Sequence, residues 1–190
     1  MAPPSLPDQV FPPPEGFRAD LDHIPDLPAH TELIDGGLVF ASPRRDFHTS
    51  MLFLVHTELR RSVPEGYRVR REMSVKLGPE QRPEPDLIIV PQAVVRLDAT
   101  YYDGNDVLLA AEVVSPDSEE RDRKRKPSLY AEAGIRHYWR VENESGRPVV
   151  YVYELDPATR GYALTGIYHD RLKVSVPFEI DIDLTGIDEV

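Results

Sequence analysis

Two carboxylates stand out in this sequence because each lies in or beside an apolar segment of strand length. Asp86 precedes an apolar run that ends at Val90, and Glu112 lies in the apolar segment 107–114. An unpaired charge at the end of a buried strand is costly. If the two segments pair as antiparallel strands with Val90 opposite Leu108, the same register sets Asp86 opposite Glu112. The two side chains would then be cross-strand neighbours about 5 Å apart.

Two carboxylates at that separation repel each other, so either a cation lies between them or one pKa rises. Oxygen ligands of this kind suit Mg²⁺, which takes few protein carboxylates and completes its shell with water and phosphate. We therefore expect Asp86 and Glu112 to hold Mg²⁺ or Mn²⁺. The pattern also allows an alternative without a metal, in which Asp86 accepts backbone hydrogen bonds at the start of its strand and Glu112 faces water.

Four further residues are candidates for the same site. Asp122 and Lys126 are four residues apart on a predicted helix, where they share a face and can form an ordinary ion pair. His48 lies beside the apolar stripe of an earlier predicted helix, either to contact a phosphate or water at the site or as a solvated helix residue. Glu32 either approaches the cluster from the first strand or is an exposed strand carboxylate.

The elements that position these residues follow from the apolar periodicity. A hairpin is predicted around Asp35-Gly36, because both residue types tolerate the positive φ of a two-residue turn. Periodicity and turn residues then predict a helix over 45–61, a strand over 67–77, two central strands over 86–90 and 107–114, a helix over 119–133 capped by Gly134, and strands over 136–142, 148–154, 161–169 and the tail. This order predicts an α/β (α+β) fold, a mixed β-sheet flanked by helices with an N-terminal β-hairpin.

Length and composition limit the alternatives. The chain has 190 residues, which favours one domain. Residues 1–16 are rich in proline and predict a disordered leader, which leaves 17–190 as a single domain. The sequence has no cysteine, so a metal must be held by oxygen or imidazole. No apolar stretch is long enough to span a membrane, so we expect a cytoplasmic protein without a membrane partner.

Charge bears on the partner. The formal net charge of -11 opposes non-specific binding to nucleic acid. Despite the negative net charge, one segment is locally basic. It predicts a basic strip on the surface formed by Arg121, Arg123, Lys124, Arg125 and Lys126.

Several segments together resemble a known family. Over about residues 30–155 the chain resembles the Uma-type endonucleases of the PD-(D/E)XK nuclease superfamily. The matching segments are Glu32–Gly36, His48, Pro85-Asp86, Glu112-Val-Val-Ser-Pro116, Asp122, Lys126, Tyr130–Ile135 and Tyr138-Trp139. The resemblance implies a restriction-endonuclease-like core and magnesium-dependent phosphodiester hydrolysis. It also implies that Asp86 and Glu112 are catalytic metal ligands. Val114 stands where the superfamily pattern has lysine, and Lys126 is the nearest lysine that could supply the charge, although Pro127 disfavours helical geometry at Lys126.

Three functions are consistent with these observations. The first is a metal-dependent DNA endonuclease in which Asp86, Glu112 and Lys126 are catalytic, with a homodimer expected by analogy because cutting two strands needs two sites. The second is a catalytically inactive nuclease-fold module for binding or assembly, favoured by Val114 and the acidic total. The third is a small-phosphoester hydrolase. For the first function we expect Lys126→Ala to abolish cleavage and leave stability nearly intact.

Overall fold

The computed structural model describes residues 16–189. Of the predicted leader, residues 1–15 lie outside this described part. Two helices and twelve strands of the described residues are used below: β1 (Glu32–Ile34), β2 (Gly37–Val39), α1 (Asp46–Ser62), β3 (Tyr67–Arg71), β4 (Ser74–Lys76), β5 (Leu87–Pro91), β6 (Tyr101–Asp103), β7 (Leu109–Val113), α2 (Lys126–Glu132), β8 (His137–Glu144), β9 (Arg147–Asp156), β10 (Gly161–Tyr168), β11 (Arg171–Val174) and β12 (Ile180–Asp183).

Six of these strands form a central mixed sheet in the order β10-β9-β8-β7-β5-β3. The pair β7 and β8 is parallel, because α2 connects them as a crossover, and the other neighbours are antiparallel. This arrangement confirms the expected mixed sheet with flanking helices. The strands β5 and β7, which carry the candidate carboxylates at their ends, are neighbours near the middle of the sheet.

A hydrophobic core lies on each face of the central sheet. On one face α1 packs against side chains such as Val69, Leu87 and Leu109, and the strand pair β11 and β12 extends this core. On the other face Tyr130 of α2 packs with Ile88 and its neighbours. The helix α1 was predicted within one residue at each end, because its apolar side chains recur on one stripe and are buried in this core.

The N-terminal hairpin forms as predicted, with β1 and β2 joined at Asp35-Gly36. Both turn residues have positive φ, 53° and 74°, as a two-residue turn requires. The hairpin is a separate two-stranded sheet, and the pairing of Leu33 with Arg82 holds it beside the chain that leads into β5. Glu32 is thereby placed near the start of β5.

The prediction of one strand over 67–77 is wrong. The segment forms two strands, because Glu72 adopts a positive φ of 49° and ends β3. The strand β4 then pairs with β6 in a different sheet. Val69 and Val75 would share one face of a continuous strand, but the break puts them in the two different cores. The apolar alternation of the sequence continues across the break and therefore hides it.

The second helix begins with a π-helical turn, Arg121–Arg125, and continues as α2. Pro127 lies in the first turn of α2, where its missing N–H leaves no unpaired donor. Lys126 keeps helical backbone angles, φ -60° and ψ -45°, although it precedes proline. Gly134 ends the helix with a φ of 80°, as predicted.

Within residues 16–189, no helix is long and apolar enough to cross a membrane. The cytoplasmic location and the division into a leader and a single domain stay predictions.

Candidate active site

The pairing of β5 with β7 brings the two predicted metal ligands together. Leu87 lies opposite Ala111, which is the register expected from the sequence, and one step further sets Asp86 beside Glu112. Each of the two side chains is only 2 % exposed. Asp86 also accepts a hydrogen bond from the backbone N–H of Val113 at 2.7 Å. The alternative without a metal expected such a backbone hydrogen bond to Asp86. Glu112, however, does not face water.

Lys126 lies at the centre of the cluster. Its Nζ is 2.8 Å from Glu32 Oε1, 3.1 Å from Glu112 Oε1 and 3.4 Å from Asp122 Oδ1. The lysine is 4 % exposed, and Asp122 is buried as well. The helix therefore brings an ammonium group to Glu112, while Val114 carries no charge. Glu32 is held in place because its carboxylate accepts the backbone N–H of Glu84 at 2.8 Å.

His48 and Arg44 surround Asp86 from the side of α1. His48 Nε2 and Arg44 Nη1 each lie 3.1 Å from Asp86 Oδ1. His48 is 2 % exposed, so the alternative of a solvated helix residue is wrong. Its Nδ1 lies 3.0 Å from the carbonyl oxygen of Val113 and donates to it. Together, His48 and Asp86 bind both backbone polar groups of Val113, the residue after Glu112.

The sequence did not point to Arg44 or to a role for Tyr130. Tyr130 is fully buried, and its hydroxyl donates to Glu112 Oε1 at 2.5 Å. It fixes the orientation of the carboxylate from α2. Its place in a segment that resembles the family was a signal, but nothing in the sequence gave its partner. Arg44 precedes α1 in an irregular segment, where no periodicity indicates the direction of a side chain.

The electrostatics divide the carboxylates into two groups. Burial raises the pKa of Glu112 well above its usual range, and the nearby Asp122 and Asp86 add to the effect against the opposing Lys126. Burial also raises the pKa of Asp122. Burial opposes ionisation of Asp86 too, but His48, Arg44 and Lys126 outweigh it, and its pKa is lowered. The carboxylates outweigh burial at Lys126 and raise its pKa well above the usual value.

The residues present fit a divalent cation with oxygen ligands. Asp86 Oδ1, Asp122 Oδ1 and His48 Nε2 are buried and accept or donate no hydrogen bond among the described residues. Their neighbours are ionic contacts of 3.1 to 3.4 Å. The cluster lines a cavity of about 40 Å³, which is room for a few waters. Within residues 16–189 no group of three or more acidic or histidine side chains is arranged to hold a metal alone. Mg²⁺ needs only one or two carboxylates, with water and phosphate completing its shell.

The predicted basic strip is largely neutralised by carboxylates of the protein itself. Arg123 pairs with Glu119 and Glu142, and Arg125 pairs with Asp35 of the hairpin. Lys124 pairs with a neighbouring carboxylate on its own helix, and Lys126 is buried in the cluster. The strip is therefore not the free basic surface that the sequence suggested.

Comparison with known proteins decides the family. The profile of the Uma2 family, described as "Putative restriction endonuclease", matches residues 19–185. The chain belongs to this family. The match confirms the resemblance seen in the sequence, and it spans the hairpin, α1, the central sheet and α2, so every candidate side chain lies within it.

The fold of this Uma2 family member also occurs in a solved structure. A crystal structure of a "putative nuclease belonging to DUF820" from Anabaena variabilis is similar with a TM-score of 0.62 and 16% sequence identity, covering 90% of this chain and 92% of that chain. At this identity the likeness concerns the fold, and it is consistent with a restriction-endonuclease-like core. A comparison with curated proteins gives no match.

Proposed function

We propose that this Uma2 family member is a metal-dependent endonuclease that hydrolyses phosphodiester bonds of DNA. The observation that supports this most strongly is the meeting of Asp86, Glu112 and Lys126 in one buried cluster with an excess of negative charge. With Glu32 and Asp122, which are buried beside them, the carboxylates of this cluster number four. Lys126 and Arg44 supply two positive charges, so ionisation of all four carboxylates calls for a further cation, and a divalent metal ion would supply it.

Each residue has a role that its contacts suggest. Asp86 and Glu112 would hold Mg²⁺ or Mn²⁺. A bound metal of this kind polarises a phosphate and lowers the pKa of a water molecule. Lys126 presents a compact positive charge beside Glu112, where the negative charge on the phosphate would increase during hydrolysis. His48 and Arg44 orient Asp86.

The choice of DNA as the substrate rests on the family description as a restriction endonuclease. The description of the Anabaena variabilis protein as a nuclease agrees with it. Cutting both strands at one position needs two sites, so we include a homodimer on DNA in the proposal.

A second candidate is an inactive module that retains the nuclease fold. The observation in its favour is that Val114 replaces the lysine of the superfamily pattern, while Lys126 is already engaged by three carboxylates. In this reading the cluster stabilises the fold and no phosphate reaches the ammonium group.

Supercoiled plasmid incubated with the purified protein and Mg²⁺ or Mn²⁺ tests the proposal. We expect nicked or linear plasmid with either metal, none in EDTA, and none with Asp86→Asn or Glu112→Gln. The matched control is Asp98→Asn, which neutralises an exposed carboxylate away from the cluster and should cut as the parent does.

Two outcomes favour the alternatives. Intact plasmid under all metal conditions supports the inactive module, provided that the protein is folded. Hydrolysis of a small aryl phosphate with intact plasmid supports the small-phosphoester hydrolase instead.

A further inference from the structure

A group of four arginines without ion pairs among the described residues lies away from the predicted basic strip. Four arginines, Arg60 of α1 and Arg68, Arg70 and Arg71 of β3, line one hollow of about 620 Å³ on the protein surface. Within residues 16–189 none of the four forms an ion pair with a carboxylate, although Glu65 also borders the hollow. The chain as a whole carries a net charge of -11, so this concentration of arginine is a local exception.

These arginines follow the free edge of the central sheet. The strand β3 is the last in the sheet order and pairs with no described strand on its outer side. Arg68 Nη1 donates to the carbonyl of Tyr67 at 2.7 Å, and Arg70 Nη1 donates to the carbonyl of Val69 at 3.0 Å. A guanidinium group has five N–H donors, so both side chains keep donors for another acceptor.

Charges on an edge strand also discourage pairing with other sheets. This effect would explain the three arginines of β3. Arg60 goes beyond that explanation, because it comes from α1 and adds a like charge to the same hollow. His56 reports the concentration of charge, since burial and then the nearby Arg71, Arg60 and Arg70 lower its pKa. Cations that converge without forming an ion pair to a described carboxylate fit an anion from outside the protein.

One end of the hollow, at Arg71, is close to the candidate active site. Arg71 lies opposite Leu87, the residue after Asp86. The next backbone N–H, that of Glu72, donates to the carbonyl oxygen of Asp86 at 3.0 Å. From Arg68 to Arg71 the strand rises about 10 Å, at about 3.4 Å per residue. This length equals the axial rise of about three base pairs of B-DNA, at about 3.4 Å each.

We propose that Arg60, Arg68, Arg70 and Arg71 bind the phosphate backbone of the DNA whose phosphodiester bond lies at Asp86 and Glu112. This inference rests on the proposed function and adds a binding surface to it. The arginines contact phosphates and hold the duplex against the sheet edge. Their contribution is a sequence-independent affinity that depends strongly on salt.

The test measures the affinity for a short fluorescent DNA duplex by anisotropy over a range of salt concentrations, in EDTA to prevent cleavage. Each phosphate contact in B-DNA adds about 0.9 to the slope of log affinity against log salt. The triple variant Arg68→Gln, Arg70→Gln, Arg71→Gln should therefore have a slope smaller by about 2.7. The ratio of parent affinity to variant affinity should be about 40-fold larger at about 50 mM than at about 200 mM salt.

A control variant with the same charge change separates local contacts from net charge. Arg136→Gln, Arg147→Gln, Arg160→Gln removes three exposed arginines that form no ion pair within residues 16–189 and lie near the opposite half of the sheet. It should keep the parental slope. Changing Arg68, Arg70 and Arg71 to lysine should also keep the slope, because charge rather than a structural role is required.

Arg60→Gln provides a second variant if the triple variant does not fold, because Arg60 makes no side-chain hydrogen bond with a described residue. Its slope should fall by about 0.9. An unchanged slope in both variants overturns the inference, as does a parent protein that does not bind the duplex. Loss of binding to phosphatidylserine vesicles with unchanged DNA binding would overturn it in favour of a membrane surface.

Failure of the proposed function and failure of the proposed arginine surface give different results. A parent that binds the duplex with the expected slope but never nicks plasmid contradicts the proposed function and supports the arginine surface. A parent that nicks plasmid while the triple glutamine variant binds and nicks equally well supports the function and overturns the arginine surface.

Discussion

Replacing Lys126 by methionine removes the ammonium group from the middle of three carboxylates. The charge is 4 % exposed, and Glu32, Glu112 and Asp122 lie within 3.4 Å of it. Removing one partner of a buried ionic cluster costs about 3–5 kcal/mol, because the remaining charges stay buried without compensation. For a domain of this size that loss lowers the melting temperature by about 10 °C. The burial of Lys126 therefore replaces our sequence-based expectation of nearly intact stability.

The loss should depend on pH in a definite direction. Glu112 and Asp122 already have raised pKa values, and Lys126 is the group that opposes the increase. Without the lysine both folded-state pKa values rise further above their unfolded values. The folded variant then binds protons more tightly than the unfolded chain, so its deficit in unfolding free energy is largest at high pH and shrinks as pH falls through the folded pKa values.

Urea denaturation of parent and Lys126→Met at pH 8 and pH 5, each with and without Mg²⁺, measures this effect. We expect the deficit at pH 8 to decrease at pH 5, and Mg²⁺ at pH 8 to restore part of it by supplying another cation. The matched control is Lys124→Met, whose exposed pair with Glu120 is worth about 0–1 kcal/mol. A Lys126→Met protein within about 1 kcal/mol of the parent at pH 8 would refute the reasoning, because a buried charge cluster cannot lose its cation at so little cost.

Three further predictions concern the neighbours of the two carboxylates and Glu112 itself. His48→Asn, which can still donate to the backbone but loses the contact with Asp86, should weaken Mg²⁺ binding by about 10–100-fold in calorimetry; unchanged affinity would contradict a positioning role. Tyr130→Phe should lower the free energy of unfolding by about 1–2 kcal/mol in urea denaturation, because Glu112 loses a hydrogen bond to its ionised form. For the same reason the variant should weaken Mg²⁺ binding more at pH 6 than at pH 8. Equal losses of Mg²⁺ affinity at both pH values would count against this role of Tyr130. Parental Mg²⁺ affinity should fall about tenfold for each pH unit below the raised pKa of Glu112, with proton release visible in buffers of different ionisation enthalpy; a pH-independent affinity would exclude Glu112 as a ligand.

The sequence predicted that Asp86 and Glu112 lie side by side, for a physical reason. The two apolar segments around Asp86 and Glu112 are buried on both faces, so their lengths and ends restricted the register, and the observed pairing of Leu87 with Ala111 follows it. Lys126 and Asp122 were predicted as one pair because helical spacing sets residues four apart on the same face.

Contacts between distant parts of the chain could not be predicted in this way. Arg125 pairs with Asp35, ninety residues earlier, so the neutralisation of the basic strip depends on how the hairpin sits against the helix. The orientation of Arg44 toward Asp86 likewise depends on tertiary structure. The break at Glu72 was hidden because both flanking segments keep an apolar alternation.

The central claim is that Asp86 and Glu112 hold the divalent cation on which phosphodiester cleavage depends. The most direct measurement is anomalous diffraction from crystals of a protein preparation that nicks plasmid, soaked in Mn²⁺. The account predicts an anomalous peak about 2–2.2 Å from a carboxylate oxygen of each residue, near the distances typical of such hard cations. No peak at these carboxylates in an active preparation, or a peak that persists unchanged in Asp86→Asn with Glu112→Gln, would contradict it.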